Sequence, residues 1–159
     1  MNIEDRTVIY QAINLMDRYY EVLPHSMPQK DLQLTAVTAL FIASKNLEVE
    51  PLDMKACVRD LCYNKYSKQE FLNKEAEIRL AINYEVEAPT GLDFIMLYVR
   101  LIKLEFEKAT NCITQTSQFL FDVQTIAYDY FKSITIDASM LKYRPSVIAA
   151  TCINLGFQL

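Results

Sequence analysis

The sequence predicts an all-α fold, and three observations carry that expectation. Apolar side chains recur at spacings of three and four along most of the chain. Only two glycines and five prolines punctuate 159 residues, too few for the tight turns of a β-rich fold. With 52% hydrophobic residues and a formal net charge of −4, the chain can bury a core and lies outside the disordered class.

Taken in order, Val8, Ile9, Ala12, Ile13, Leu15, Met16, Tyr19, Tyr20 and Leu23 predict an amphipathic helix over 5–23, ended by Pro24 and Pro28. A second helix is expected from Asp31, whose carboxylate can cap it, to about Asn46; it is apolar nearly all round and therefore central. Beyond Pro51, residues 52–61 read as a short helix with Met54, Cys57, Val58 and Leu61 on one side. Ser67 and Glu70 have capping-box spacing and start a helix that runs to about Ile82. Pro89 forbids its continuation, so the linker and the domain boundary are placed at Ala88-Pro89-Thr90, giving domains 1–88 and 89–159. Two more helices follow, from Thr90 or Gly91 to Phe106 and from Thr114 to Tyr130, and a last one starts with Pro145 at its first position and runs to Phe157. The runs 36–45 and 147–155 are alike in texture, a weak sign of duplication.

Several chemistries have no support. Two isolated glycines, Gly91 and Gly156, cannot write a phosphate-binding loop or a dinucleotide fingerprint. His25 is the sole histidine, set in a proline-flanked turn with no nucleophile to activate, and no paired-carboxylate arrangement stands out, so no enzyme is expected. Cys57, Cys62, Cys112 and Cys152 form no Cys-x-x-Cys pair and read as small buried hydrophobes of a reducing compartment; no metal and no cofactor are expected. The acidic balance gives no footprint for nucleic acid or an anionic membrane. No apolar run reaches the roughly 18 residues that span a bilayer, and a nuclear or cytoplasmic location is expected.

Four segments in fixed order carry a family resemblance: Ile13 to Tyr19 with its Asp17-Arg18 pair, Leu32 to Ala36 leading to Ala43-Ser44-Lys45, Asn73-Lys74-Glu75, and Ile82 to Thr90 with Tyr84, Val86 and Pro89. Together they resemble a cyclin box, most like the mitotic A and B types, and Pro145 to Ala150 resembles a segment of the second box. The resemblance implies a first helical box without its usual first helix, followed by a partial second box. It implies a non-catalytic subunit that binds and allosterically activates a cyclin-dependent protein kinase in cell-cycle control. Lys45 and Glu75 match the pair that grips the kinase C helix, Tyr84 and Val86 the apolar positions that receive an isoleucine from it, and Ile42 and Leu72 adjoining contacts. Leu32 and Gln33 match parts of a substrate-docking surface whose other part is the preceding helix, which would bring kinase substrates as further partners. Asp17 and Arg18 are read as structural.

By spacing alone, Lys45 complements the C-terminal end of its helix and Glu75 pairs with Arg79 four residues on. Against that reading, Glu75 interrupts an apolar stripe of Phe71, Ile78 and Ile82. The family's aromatic after the lysine is Asn46 here, and its acidic pair is reduced to Leu47-Glu48. Two other readings therefore stand beside the kinase activator: a cyclin-fold adaptor of the transcription type and a degenerate, inactive cyclin. Apolar faces that the absent helices would cover are expected to favour self-association.

Overall fold

The computed structural model describes residues 4–23, 29–109 and 113–158, and every regular element among them is helical. In order these are α1 (Glu4–Val22), α2 (Gln29–Leu47), α3 (Met54–Ala56) running into a single π turn (Cys57–Leu61), α4 (Lys68–Ala81), α5 (Gly91–Ala109), α6 (Ile113–Ile134), a 3₁₀ turn (Ala138–Lys142) and α7 (Pro145–Gly156). They form two compact units, Met1–Ala88 and Pro89–Leu159. Pro24, His25, Pro28 and Cys112 lie outside the described residues.

In the first unit α2 is central, packing on α1 along one side and on α4 along another. Its faces serve two apolar clusters. One joins Val8, Ala12, Leu15 and Tyr19 of α1 to Ala39, Ile42 and Ala43 of α2 and to Ile78 and Ile82. The other gathers Leu34, Phe41, Cys57, Cys62, Tyr66 and Phe71. Cys57 and Cys62 are buried free thiols with their pKa values pushed up by burial, as small hydrophobes would be. Helix α4 opens on the expected capping box: Ser67 Oγ accepts from the Glu70 amide and the Glu70 carboxylate accepts from the Ser67 amide. Helix α2 starts before Asp31, which sits inside its first turn. The expected helix over 52–61 is shorter, and the π turn takes its second half: the Cys62 amide donates to Cys57 O at 3.0 Å. That wider turn carries Leu61 off the apolar face, leaving it 40% exposed.

In the second unit α5, α6 and α7 pack on one another. Thr90 caps α5, its hydroxyl and amide both donating to the Asp93 carboxylate at 2.7 Å. Pro145 occupies the first turn of α7, which buries Ala149, Cys152, Ile153 and Gly156. Gly156 permits a close approach, because a Cβ there would lie 2.9 Å from the carbonyl oxygen of Val123 on α6. Helix α6 runs on to Ile134, and the 3₁₀ turn after it, capped by Asp137, is not foreshadowed by apolar periodicity. Leu97, Leu101 and Leu104 of α5 are all exposed and share one stripe, the surface on which the expected self-association would rest.

Candidate functional site

The last turn of α2 and the middle of α4 bring Lys45 and Glu75 together. Phe41 of α2 meets Phe71 of α4 edge to face with ring centroids 5.4 Å apart, fixing the two helices at that level. One turn further along each helix, Lys45 Nζ donates to Glu75 Oε1 at 2.8 Å while the ammonium lies 4.7 Å from the Phe41 ring centroid. Arg79 joins them, with Nε 3.1 Å and Nη2 3.0 Å from the same Oε1. Glu75 is 8% exposed between Phe71 and Ile78, which are fully buried, so its charge is compensated by two cations rather than by water. The two readings of these charges at the sequence level therefore coexist: Glu75 pairs with Arg79 and with Lys45.

Beside this cluster, α4 ends in a backbone irregularity. Asn83 and Tyr84 both adopt positive φ, 52° and 60°, and the Tyr84 amide donates to Arg79 O at 2.8 Å, closing the helix. The left-handed turn sends the Tyr84 ring outward, 66% exposed, and leads into the irregular strip 85–87, where the Val86 amide donates to Tyr84 O at 2.9 Å. Three side chains hold that strip: Arg18 Nη1 donates to Glu85 O at 2.7 Å, Gln11 Nε2 to Val86 O at 2.6 Å, and Asn46 Nδ2 to Glu87 Oε1 at 3.0 Å. Val86 is half-buried against the α1–α2–α4 core, so the strip alternates between a seated and a presented side chain.

Of the expected contact residues, Lys45, Glu75, Tyr84 and Val86 share this neighbourhood, and Leu72 is half-buried on α4. Ile42 is a correction. It is 0% exposed inside the core cluster, because the all-round apolar α2 buries it against α1 and α4, and it presents no surface to a partner. Leu32 is 47% exposed, and Gln33 is turned to the π segment, donating to Leu61 O at 3.0 Å. Arg18 serves Glu85 rather than its neighbour Asp17, whose half-buried carboxyl is pushed up in pKa by burial. Gln11 was not expected at the site, Arg79 only as the helical partner of Glu75, and Asn46 only as a departure from the family's aromatic. Gln11 left a trace of the same kind as Glu75: a polar residue on the apolar face formed by Val8, Ala12 and Leu15. Among the described residues no cluster of His, Cys, Asp or Glu could hold a metal ion, and no helix is long and apolar enough to cross a membrane.

The family described as cyclin, N-terminal domain, matches residues 3–87, and this chain belongs to it. Putative cyclin-A3-1 and cyclin-A3-4 of Arabidopsis thaliana are both 29% identical over 93% of the chain, covering 38% and 37% of their own lengths. A G2/mitotic-specific cyclin C13-1 of Daucus carota is 29% identical over 90% of the chain and 38% of its own length. The chain thus spans less than two fifths of each of these relatives.

Proposed function

We propose that this chain is a cyclin-type regulatory subunit that binds a cyclin-dependent protein kinase and activates it allosterically in cell-cycle control, acting in the nucleus or cytoplasm without chemistry of its own. The observation that carries the reading is the Lys45–Glu75–Arg79 cluster beside the outward-turned Tyr84, held on a domain of the cyclin family. A charge cluster set over a rigid aromatic pair offers fixed donors to a partner helix, and Tyr84 offers a large apolar face next to them. An exposed ring and preorganised ions are the elements from which central interface contacts are made. Binding there biases the kinase C helix toward the position that completes the catalytic Lys–Glu pair of the kinase, so the subunit supplies differential affinity between two states. Leu72 and Val86 back this surface. Leu32, exposed beside Gln33, is the proposed contact for kinase substrates.

The test is binding of the chain to cyclin-dependent kinases of its own cell, with kinase activity recorded in the same samples and Lys45→Glu and Tyr84→Ala compared with the unaltered chain. The expected result is a complex that raises kinase activity and is weakened at least tenfold by either substitution. A folded chain that binds none of these kinases would overturn the proposal in favour of an adaptor; one that binds without raising activity would identify a degenerate cyclin.

A further inference from the structure

Away from the residues of the Lys45 cluster, α3, the π turn and the start of α4 enclose a groove of about 340 Å³ lined by Met54, Lys55, Val58, Arg59, Asn64 and Lys68. Its lining holds two apolar side chains, one amide and three cations, and no carboxylate, on a chain whose net charge is −4. The neighbouring acids are already engaged. Asp53 caps α3 through the Ala56 amide, Glu70 closes the Ser67 capping box, and Asp60 holds Arg59 at 2.6 and 2.8 Å. Lys55 and Lys68 are exposed and enter no ion pair among the described residues. Lys68 stands at the first position of α4, where the positive end of a helix disfavours a cation, so helix stability does not account for it.

The backbone around the groove is irregular in the same place. Val58 and Arg59 belong to the π turn, and Tyr63 and Asn64 both adopt positive φ, 52° and 55°, with the Asn64 amide donating to Val58 O at 2.9 Å. Such segments persist only where the surrounding structure holds them, and they concentrate at functional sites.

We propose that this groove docks an acidic segment of a partner protein. An aliphatic side chain of that segment lies on Met54 and Val58, and carboxylates on either side of it meet Lys55 and Lys68, with Asn64 available to its backbone. Charge complementarity selects this occupant, and the apolar floor separates it from a nucleic-acid backbone, which would need a wider basic face. The groove shares no residue with the proposed kinase contact, so a partner held here would be recruited independently of it.

The probe is a fluorescein-labelled peptide Glu-Asp-Leu-Asp-Glu, titrated with the whole chain and followed by anisotropy, with a Glu-Asp-Ser-Asp-Glu peptide and an oligothymidylate as competitors. The expected result is saturable binding, at least tenfold weaker for the Lys55→Glu/Lys68→Glu double variant, with the serine peptide and the oligonucleotide competing poorly. Amide chemical shifts of the unaltered chain provide a second measurement, expected to move within 54–68. Binding unchanged in the folded double variant, equal competition by the serine peptide or oligothymidylate, shifts centred instead on Lys45 and Tyr84, or no saturation into the millimolar range would each overturn the proposal.

Discussion

In the unit Met1–Ala88 the helices close around Gln11, Thr35, Thr38, Ser44 and Glu75, all buried, whereas in Pro89–Leu159 Thr90 is the one buried residue of that polar kind among those described. Hydrocarbon burial is non-directional and tolerates many packings. A buried hydrogen-bonding group tolerates few, because an unmet partner costs more than the bond contributes. Three members of the polar set do specific positional work: Ser44 ties the Leu52 amide back to α2 at 3.1 Å, Gln11 seats Val86, and Glu75 gathers Lys45 and Arg79, whereas the buried Thr38 hydroxyl has no hydrogen-bond partner among the described residues. In the second unit Leu92, Ile95, Val123 and Ala149 are among the residues that fill the interior, and Thr90 alone is buried and of that polar kind among the described residues. The functional surface is expected on the first unit for that reason, with the apolar stripe of α5 as a more adaptable surface on the second.

The largest expected effect tests whether the two interiors are alike where they should be alike. Phe71 and Ile95 are both 0% exposed, one in each unit. Phe71→Ala should lower the unfolding free energy by about 3–5 kcal/mol and Ile95→Ala by about 2–5 kcal/mol, measured by urea titration. A loss below about 1 kcal/mol at either site would mean that its unit packs more loosely than described. The contrast itself rests on Glu75. Glu75→Gln keeps the shape but leaves Lys45 and Arg79 sharing a neutral carbonyl, an expected loss of about 1–3 kcal/mol with no counterpart in the second unit. An unchanged midpoint would show that the three charges are solvated and not a buried cluster.

Smaller effects separate the two helix caps. Ser67 is exposed and Thr90 is 4% exposed, yet both close the same reciprocal bonds with an acid three residues on. Ser67→Ala should cost about 1 kcal/mol, and Thr90→Ala closer to about 2 kcal/mol, because the Asp93 carboxylate then loses a donor in a half-buried setting. Thermal midpoints would rank them; the reverse order would mean that water replaces the Thr90 hydroxyl.

How much of this was legible in the sequence depends on the range of the interaction. The helices, the Ser67 cap and the first-turn Pro145 rest on neighbours three or four residues apart, and their residues state them. Glu75 was legible as a charge on an apolar stripe, and Lys45 only by resemblance, since a partner 30 residues away leaves no periodic trace. The grip of Gln11 on Val86 spans 75 residues and is equally silent. The scarcity of glycine misled in one respect. Few glycines implied that turns needing positive φ are scarce, but Tyr63-Asn64 and Asn83-Tyr84 supply two, while neither described glycine has positive φ. Asn is the non-glycine residue most at ease there, and an Asn beside Tyr after a helical run was the signal available. Ile42 shows the opposite error: an all-round apolar helix places its central residues in the core, whatever surface role a neighbouring lysine suggests.

The smallest expected effect is a pH dependence of two carboxylates on the first unit with opposite signs. Asp17 is half-buried, and burial raises its pKa above the usual carboxylate range. Its charged form therefore weakens the fold above that raised value, and the penalty disappears as pH falls through it toward the ordinary value of 3.8. Glu77 also loses hydration, which pushes its pKa up, but hydrogen bonds from Lys74 and Tyr19 outweigh that and hold it below 4.5. Its contribution is present above the ordinary value and is lost as pH falls through the lowered one. Asp17→Asn should thus raise the melting temperature near pH 7, Glu77→Gln should lower it, and both differences should shrink toward zero in acid. Melting curves of both variants and the unaltered chain between pH 3 and pH 7 check this. A drop in melting temperature for Asp17→Asn at neutral pH would mean that a cation holds that carboxylate, and the first unit would then compensate every charge it buries instead of tolerating one.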